Sequence, residues 1–61
     1  MAGIPDILGF WKGQFVAIEV KTETGKPTKL QLYRIEQILA AGGRAGIARN
    51  VEEALRVRDG G

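Results

Sequence analysis

Two short runs dense in apolar and β-branched residues open the chain, and a stretch with apolar residues every three to four positions follows. "PDILGF", residues 5–10, reads as a short strand led by a proline, and "WKGQ", 11–14, as a turn in which Gly13 supplies a positive φ. "QFVAIEVK", 14–21, is the clearest strand, and "TETGKP", 22–27, is a polar loop. Thr28 then stands as a helix N-cap with Gln31 at the N3 position, the T-x-x-Q capping box. Leu32, Ile35, Ile38 and Leu39 recur at helical spacing, and Gly42-Gly43 provides a left-handed stop. "RAGIA", 44–48, is a third strand. Asn50 caps a second helix with Glu53 at its N3 position, Glu52 and Glu53 favour the positive end of its dipole, and "DGG" is expected to fray.

The order β-β-α-β-α predicts one α/β domain spanning residues 1–61. The first two strands form a hairpin, and the long helix crosses over to lay the third strand parallel to the second. The sheet is then small, mixed and three-stranded.

A hairpin turning on Lys12 and Gly13 sets Trp11 opposite Gln14, Phe10 opposite Phe15, Leu8 opposite Ala17 and Asp6 opposite Glu19. Directly opposed residues share a face, with Cβ atoms ~4.5–5.5 Å apart. Strand side chains alternate, so Lys21 joins Asp6 and Glu19 there. A different loop length would offset Asp6 by one residue. In the two-residue register three charges converge at one end of one face, while Ile7, Val16, Ile18 and Val20 on the other face read as core. Opposed carboxylates repel unless a cation stands between them. Lys21 can serve in part; a divalent metal with oxygen ligands suits the pair better. A Glu and a Lys two residues apart in a half-buried strand are more often a solvated face than a site. The capping box accounts for Gln31, yet that residue lies on the stripe of Ile35 and Ile38, which turns it inward near the end of the second strand.

Composition sharpens this picture. A chain of 61 residues buries only about 60% of the surface its unfolded form exposes. It has no Cys, so no disulfide reinforces the core, and oligomerisation or a bound metal remains. Histidine and serine are also missing, which excludes serine and cysteine nucleophiles, histidine bases and His/Cys zinc sites. Any chemistry then rests on carboxylates, Lys, Thr, Tyr or amide side chains, and with oxygen ligands the natural metals are Mg²⁺ or Mn²⁺. The net charge of +2 is a mild sign of an anionic partner. No apolar run approaches the ~18 residues of a membrane span and no signal peptide is visible, so a cytoplasmic location is expected.

The pieces "GIPD" at 3–6, "IEVK" at 18–21, "TGKPTKLQ" at 24–31 and "AGG" at 41–43, in this order, resemble the VRR-Nuc family of the PD-(D/E)XK nuclease superfamily. The resemblance covers nearly all of the chain and implies a minimal restriction-endonuclease-like core. It implies that Asp6 and Glu19 bind the metal, with the backbone carbonyl of Val20 as a further ligand. Lys21 would orient the attacking water and stabilise charge on the phosphate, and Gln31 would match the helix glutamine beside the site. The implied reaction is metal-dependent hydrolysis of DNA phosphodiesters, often in branched DNA such as four-way junctions, in a DNA-repair or phage setting (host cytoplasm in the latter case). Such cores normally begin with a helix carrying another acidic ligand. Only Met1, Ala2 and Gly3 precede the motif here, so that helix is not expected.

Apolar residues on both hairpin faces predict a homodimer, with Phe10, Trp11 and Phe15 as contacts or, alternatively, as ordinary core. Lys26, Lys29, Arg34 and Arg44, with Arg49 further along, are candidates for phosphate contacts or plain surface charge. Two other readings stand beside the endonuclease: a catalytically incomplete nucleic-acid-binding module of the same fold, and a structural module in which Asp6, Glu19 and Lys21 form an ion-pair cluster.

Overall fold

The computed structural model describes residues 6–60. Pro5 and the rest of the "GIP" stretch lie outside the described residues. Strands β1 (Ile7–Trp11), β2 (Gln14–Val20) and β3 (Arg44–Ala48) alternate with helices α1 (Lys29–Ala40) and α2 (Val51–Arg58) in the order β1-β2-α1-β3-α2. The sheet order is β1-β2-β3, with β2 central, antiparallel to β1 and parallel to β3. Strand β1 runs one residue beyond the predicted stretch, and Asp6 forms a bend just before it.

The turn is the predicted two-residue one. Lys12 and Gly13 take φ of 50° and 81°, the left-handed pair of a type I′ turn. Its twist matches that of the strands, and the pairing follows: Trp11 with Gln14, Phe10 with Phe15, Leu8 with Ala17, Ile7 with Ile18. Helix α1 begins on the full capping box of Thr28 and Gln31. It ends in a Schellman closure: Gly42, at φ 91°, donates to the Leu39 carbonyl and Gly43 to that of Ile38.

Helix α2 is capped by the Asn50 side chain, which accepts from the Glu53 N–H at 2.8 Å. The Glu53 carboxylate reaches one residue past the cap, accepting from the Arg49 N–H at 2.7 Å. Within the "DGG" segment, whose Gly61 lies outside the described residues, Asp59 caps the helix and Gly60, at φ 83°, donates to the Val57 carbonyl.

The core is thin. Val16, Ile18 and Ala48 are buried, and Ala54 and Val57 of α2 pack onto them. Helix α1 lies on the opposite face, over Ala17 and Glu19. Two expected core residues are not core: Ile7 is 47% and Val20 50% exposed. Both helices pack chiefly on β2 and β3, which leaves the edge strand β1 and the last residue of β2 at the margin. Leu32 and Leu39 are likewise exposed, while Gln31, Ile35 and Ile38 form the inward stripe of α1.

Lys12 pays the steric cost of a left-handed residue with a Cβ. Lys12→Asn, giving Asn-Gly, should stabilise the fold by roughly 0.5–1 kcal/mol in denaturant titration, and Gly13→Ala should destabilise it by a similar amount.

Candidate metal centre

The hairpin register delivers the two acidic side chains to one place. Glu19 sits on β2 one residue before its end, 6% exposed, on the face that α1 covers. Asp6 stands one step beyond the last β1–β2 pair, and its Oδ2 accepts from the Val20 N–H at 2.9 Å. That bond folds the start of the hairpin onto the end of β2. Lys21 follows, half-buried, its backbone N–H held by the Ala48 carbonyl at 3.0 Å.

Gln31 closes the site from above. Its Nε2 donates to Glu19 Oε1 at 2.7 Å, and its Oε1 accepts from the Thr28 N–H at 2.8 Å. The side chain therefore acts in the capping box and in the site together, where the sequence offered those roles as alternatives.

Burial pushes the Glu19 carboxyl above its ordinary pKa, and the nearby Asp6 charge pushes it further. The Lys21 charge and the Gln31 hydrogen bond pull it back without cancelling the rise. Among the described residues the ion pairs are Glu52 with Arg56 and Asp59 with Arg58, so no Lys or Arg neutralises Asp6 or Glu19 at contact distance. Lys21 is close enough to be felt, yet it does not close an ion-pair cluster.

The donor set fits a hard divalent cation. Each carboxylate has one oxygen engaged by an N–H and, among the described residues, the other without a hydrogen bond: Asp6 Oδ1 and Glu19 Oε2. The described residues contain no group of three acidic, His or Cys side chains, so water would complete the shell. Mg²⁺ and Mn²⁺ tolerate that arrangement, since they commonly bind through one or two carboxylates and retain water.

The basic candidates divide. Lys26 and Lys29 are exposed on the loop and first turn of α1, beside Gln31, and Arg34 is exposed further along the helix. Arg44 opens β3 opposite Val16, at the other end of the sheet, and its Nη1 donates to the Arg58 carbonyl at 2.7 Å, closing the end of α2. Arg49 does something no sequence signal announced: its Nη2 donates to the Gly25 carbonyl at 2.8 Å, tying the 22–27 loop to the end of β3.

The hairpin aromatics do not form one surface. Phe10, 78% exposed, meets Phe15 edge-on at 5.6 Å on the Glu19 face. Trp11 lies on the other face beneath the Arg58 guanidinium at 4.0 Å.

A hairpin Asp beside a strand-ending Glu-x-Lys, under a crossover helix on a small mixed sheet, is consistent with a minimal restriction-endonuclease-like core. The family model of the archaeal Holliday junction resolvase (hjc) matches residues 1–58, and the chain belongs to that family. Its common ground with the VRR-Nuc resemblance is the PD-(D/E)XK type. No curated protein and no solved structure gives a significant match. No helix among the described residues is long and apolar enough to cross a membrane.

The raised Glu19 pKa fixes the sign of a pH dependence. The folded chain holds this proton more tightly than the unfolded one, so metal-free stability should fall as pH rises from the ordinary glutamate value through the raised one, then level off. Glu19→Gln should flatten that slope and raise the melting temperature at pH 7, as followed by circular dichroism without divalent ions.

Proposed function

We propose that this chain is a metal-dependent, structure-selective DNA endonuclease that hydrolyses phosphodiester bonds in branched DNA such as four-way junctions. The observation that carries the reading is a buried carboxylate beside a second one, with Lys21 adjacent and, among the described residues, no ion pair closing either acid. Unpaired buried charge costs stability, which argues for a cation supplied from outside the chain. Family membership supports the junction as substrate.

In this reading Asp6, Glu19 and the Val20 carbonyl hold Mg²⁺ or Mn²⁺. When bound, such an ion polarises the phosphoryl oxygen and lowers the pKa of water. Lys21 places positive charge where the phosphate accumulates negative charge, and orients the attacking water. Gln31 steadies Glu19. Lys26, Lys29 and Arg34 make sequence-independent phosphate contacts, joined by the positive end of the α1 dipole. Arg44, at the far end of the sheet, would meet a more distant phosphate with its remaining donors. The VRR-Nuc-like order of motifs is read as the shared core of the superfamily.

A homodimer belongs to the same reading. Leu8 and Phe10 leave apolar surface open on the site face, and a symmetric pair would set two sites against the paired strands of a junction.

Labelled single-stranded, duplex, flap and four-way junction DNAs, incubated with Mg²⁺, Mn²⁺ or EDTA, test the proposal. Cuts at the junction that need metal and fall at least ~10²-fold in Lys21→Ala, with junction binding retained in gel shifts, are expected. Binding without metal-dependent cuts would favour the incomplete binding module, a reading to which the convergence of two carboxylates, and no third among the described residues, lends weight.

A further inference from the structure

Arg49 stands where three elements meet. Its main-chain N–H donates to Glu53 Oε1 at 2.7 Å, which fixes it to the first turn of α2. Its half-buried side chain runs the other way, and Nη2 donates to the Gly25 carbonyl at 2.8 Å. Among the described residues no other hydrogen bond joins positions 22–27 to a distant element.

Gly25 matters for what lies beside it. Its N–H donates to the Thr22 carbonyl at 3.2 Å and to Thr22 Oγ1 at 3.0 Å, which closes a tight turn from Thr22 to Gly25. The turn folds the glycine back on Lys21: a Cβ built on Gly25 would stand 3.7 Å from the Lys21 Cβ. The Lys21 N–H is itself held by the Ala48 carbonyl at 3.0 Å. Ala48 and Arg49, successive in the chain, therefore clamp the turn at both ends. The Ala48 clamp joins main chain to main chain. The Arg49 clamp depends on a side chain, so substitution can remove it.

A lysine ammonium rides on a flexible four-carbon stem, and packing at the root of that stem limits where it points. The charge of Lys21 is felt at Glu19, so its direction bears on the acidic pair. We propose that Arg49 is a positioning residue for Lys21: by holding the Gly25 carbonyl it keeps the turn packed against the root of that side chain and the ammonium beside Glu19. The inference rests on the nuclease reading of Asp6, Glu19 and Lys21, and adds to it a residue that acts through the main chain of Gly25. A phosphate contact, the role the sequence offered for Arg49, would act on DNA binding instead.

Arg49→Met removes the donors and keeps the apolar stem, and the bond to Glu53 survives because the main chain makes it. On four-way junction DNA with Mg²⁺, kcat is expected to fall by ~10–10²-fold with KM unchanged, the scale of a small misplacement at a reacting centre. In a Lys21→Ala background the same substitution should cost nothing further, because the two residues act as a unit. A raised KM, with a salt dependence shallower by about one unit, would make Arg49 a phosphate contact. An equal loss in both backgrounds would make it merely structural. Either result overturns the proposal. Arg49→Gln, whose amide is too short to reach Gly25, repeats the test should the Met variant fold poorly.

A second readout needs neither metal nor DNA. In the free protein the Lys21 side-chain resonances are expected to shift on Arg49→Met, while those of Val16 and Ile18 stay fixed. Unmoved Lys21 resonances would sink the tie even in a protein that cuts DNA. A wild type that cuts nothing, with Lys21 resonances that still move, would sink the nuclease reading and leave the tie standing, so the two failures are separable.

Discussion

The two-residue turn at Lys12 and Gly13 is the constraint on which the site depends. Side chains alternate along a strand with a period of two, so a slip of one residue would send every side chain of β1 to the other face. The type I′ geometry removes that freedom, because it sets Trp11 against Gln14 and counts the pairs outward from there. Five pairs later the count reaches Asp6 and Glu19. The hydrogen bond from the Val20 N–H to Asp6 then locks the far end of the hairpin. Geometry at one end of the hairpin thus decides which side chains meet at the other, and the strained Lys12 backbone is the local cost.

The interior tells a related story. Helix α2 seals one face of the sheet with Ala54 and Val57 over Val16, Ile18 and Ala48, and α1 holds the other face while burying none of its own side chains. Such a core stabilises weakly, yet it accommodates a glutamate that is 6% exposed and lacks an ion pair among the described residues. The rise in the Glu19 pKa is the electrostatic mark of that choice. Lys26 and Lys29 are exposed on the preceding loop and the first turn of α1, the same turn from which Gln31 reaches Glu19. Lys29 in the first turn opposes the helix dipole, and no acidic residue in that turn offsets it.

Much of this was legible in the residues because local rules dominate. The Lys-Gly turn, the β-branched run of β2, the T-x-x-Q box and the Gly42-Gly43 stop each act within a few positions, and together they give the element order and the register. Legibility failed where distant packing decides the outcome. Ile7 and Val20 look like core by alternation, but their burial depends on how far α2 reaches, which no spacing encodes. Arg44 and Arg49 look alike as surface cations, yet one closes the end of α2 and the other grips the carbonyl of Gly25, 24 residues away. Gln31 was ambiguous for a simpler reason: an amide has two ends, and it uses both.

The contacts that build the site are short in chain terms. Val20 meets Asp6 across 14 positions and Gln31 meets Glu19 across 12, all within the first half of the sequence. Loops of that size close at small entropic cost, and local contacts form early in folding. What shelters those contacts comes from the other half: Ala48, Ala54 and Val57 cover the buried side chains of β2, and the Ala48 carbonyl holds the Lys21 N–H, so the acidic end of the hairpin is assembled locally but walled in by distant residues.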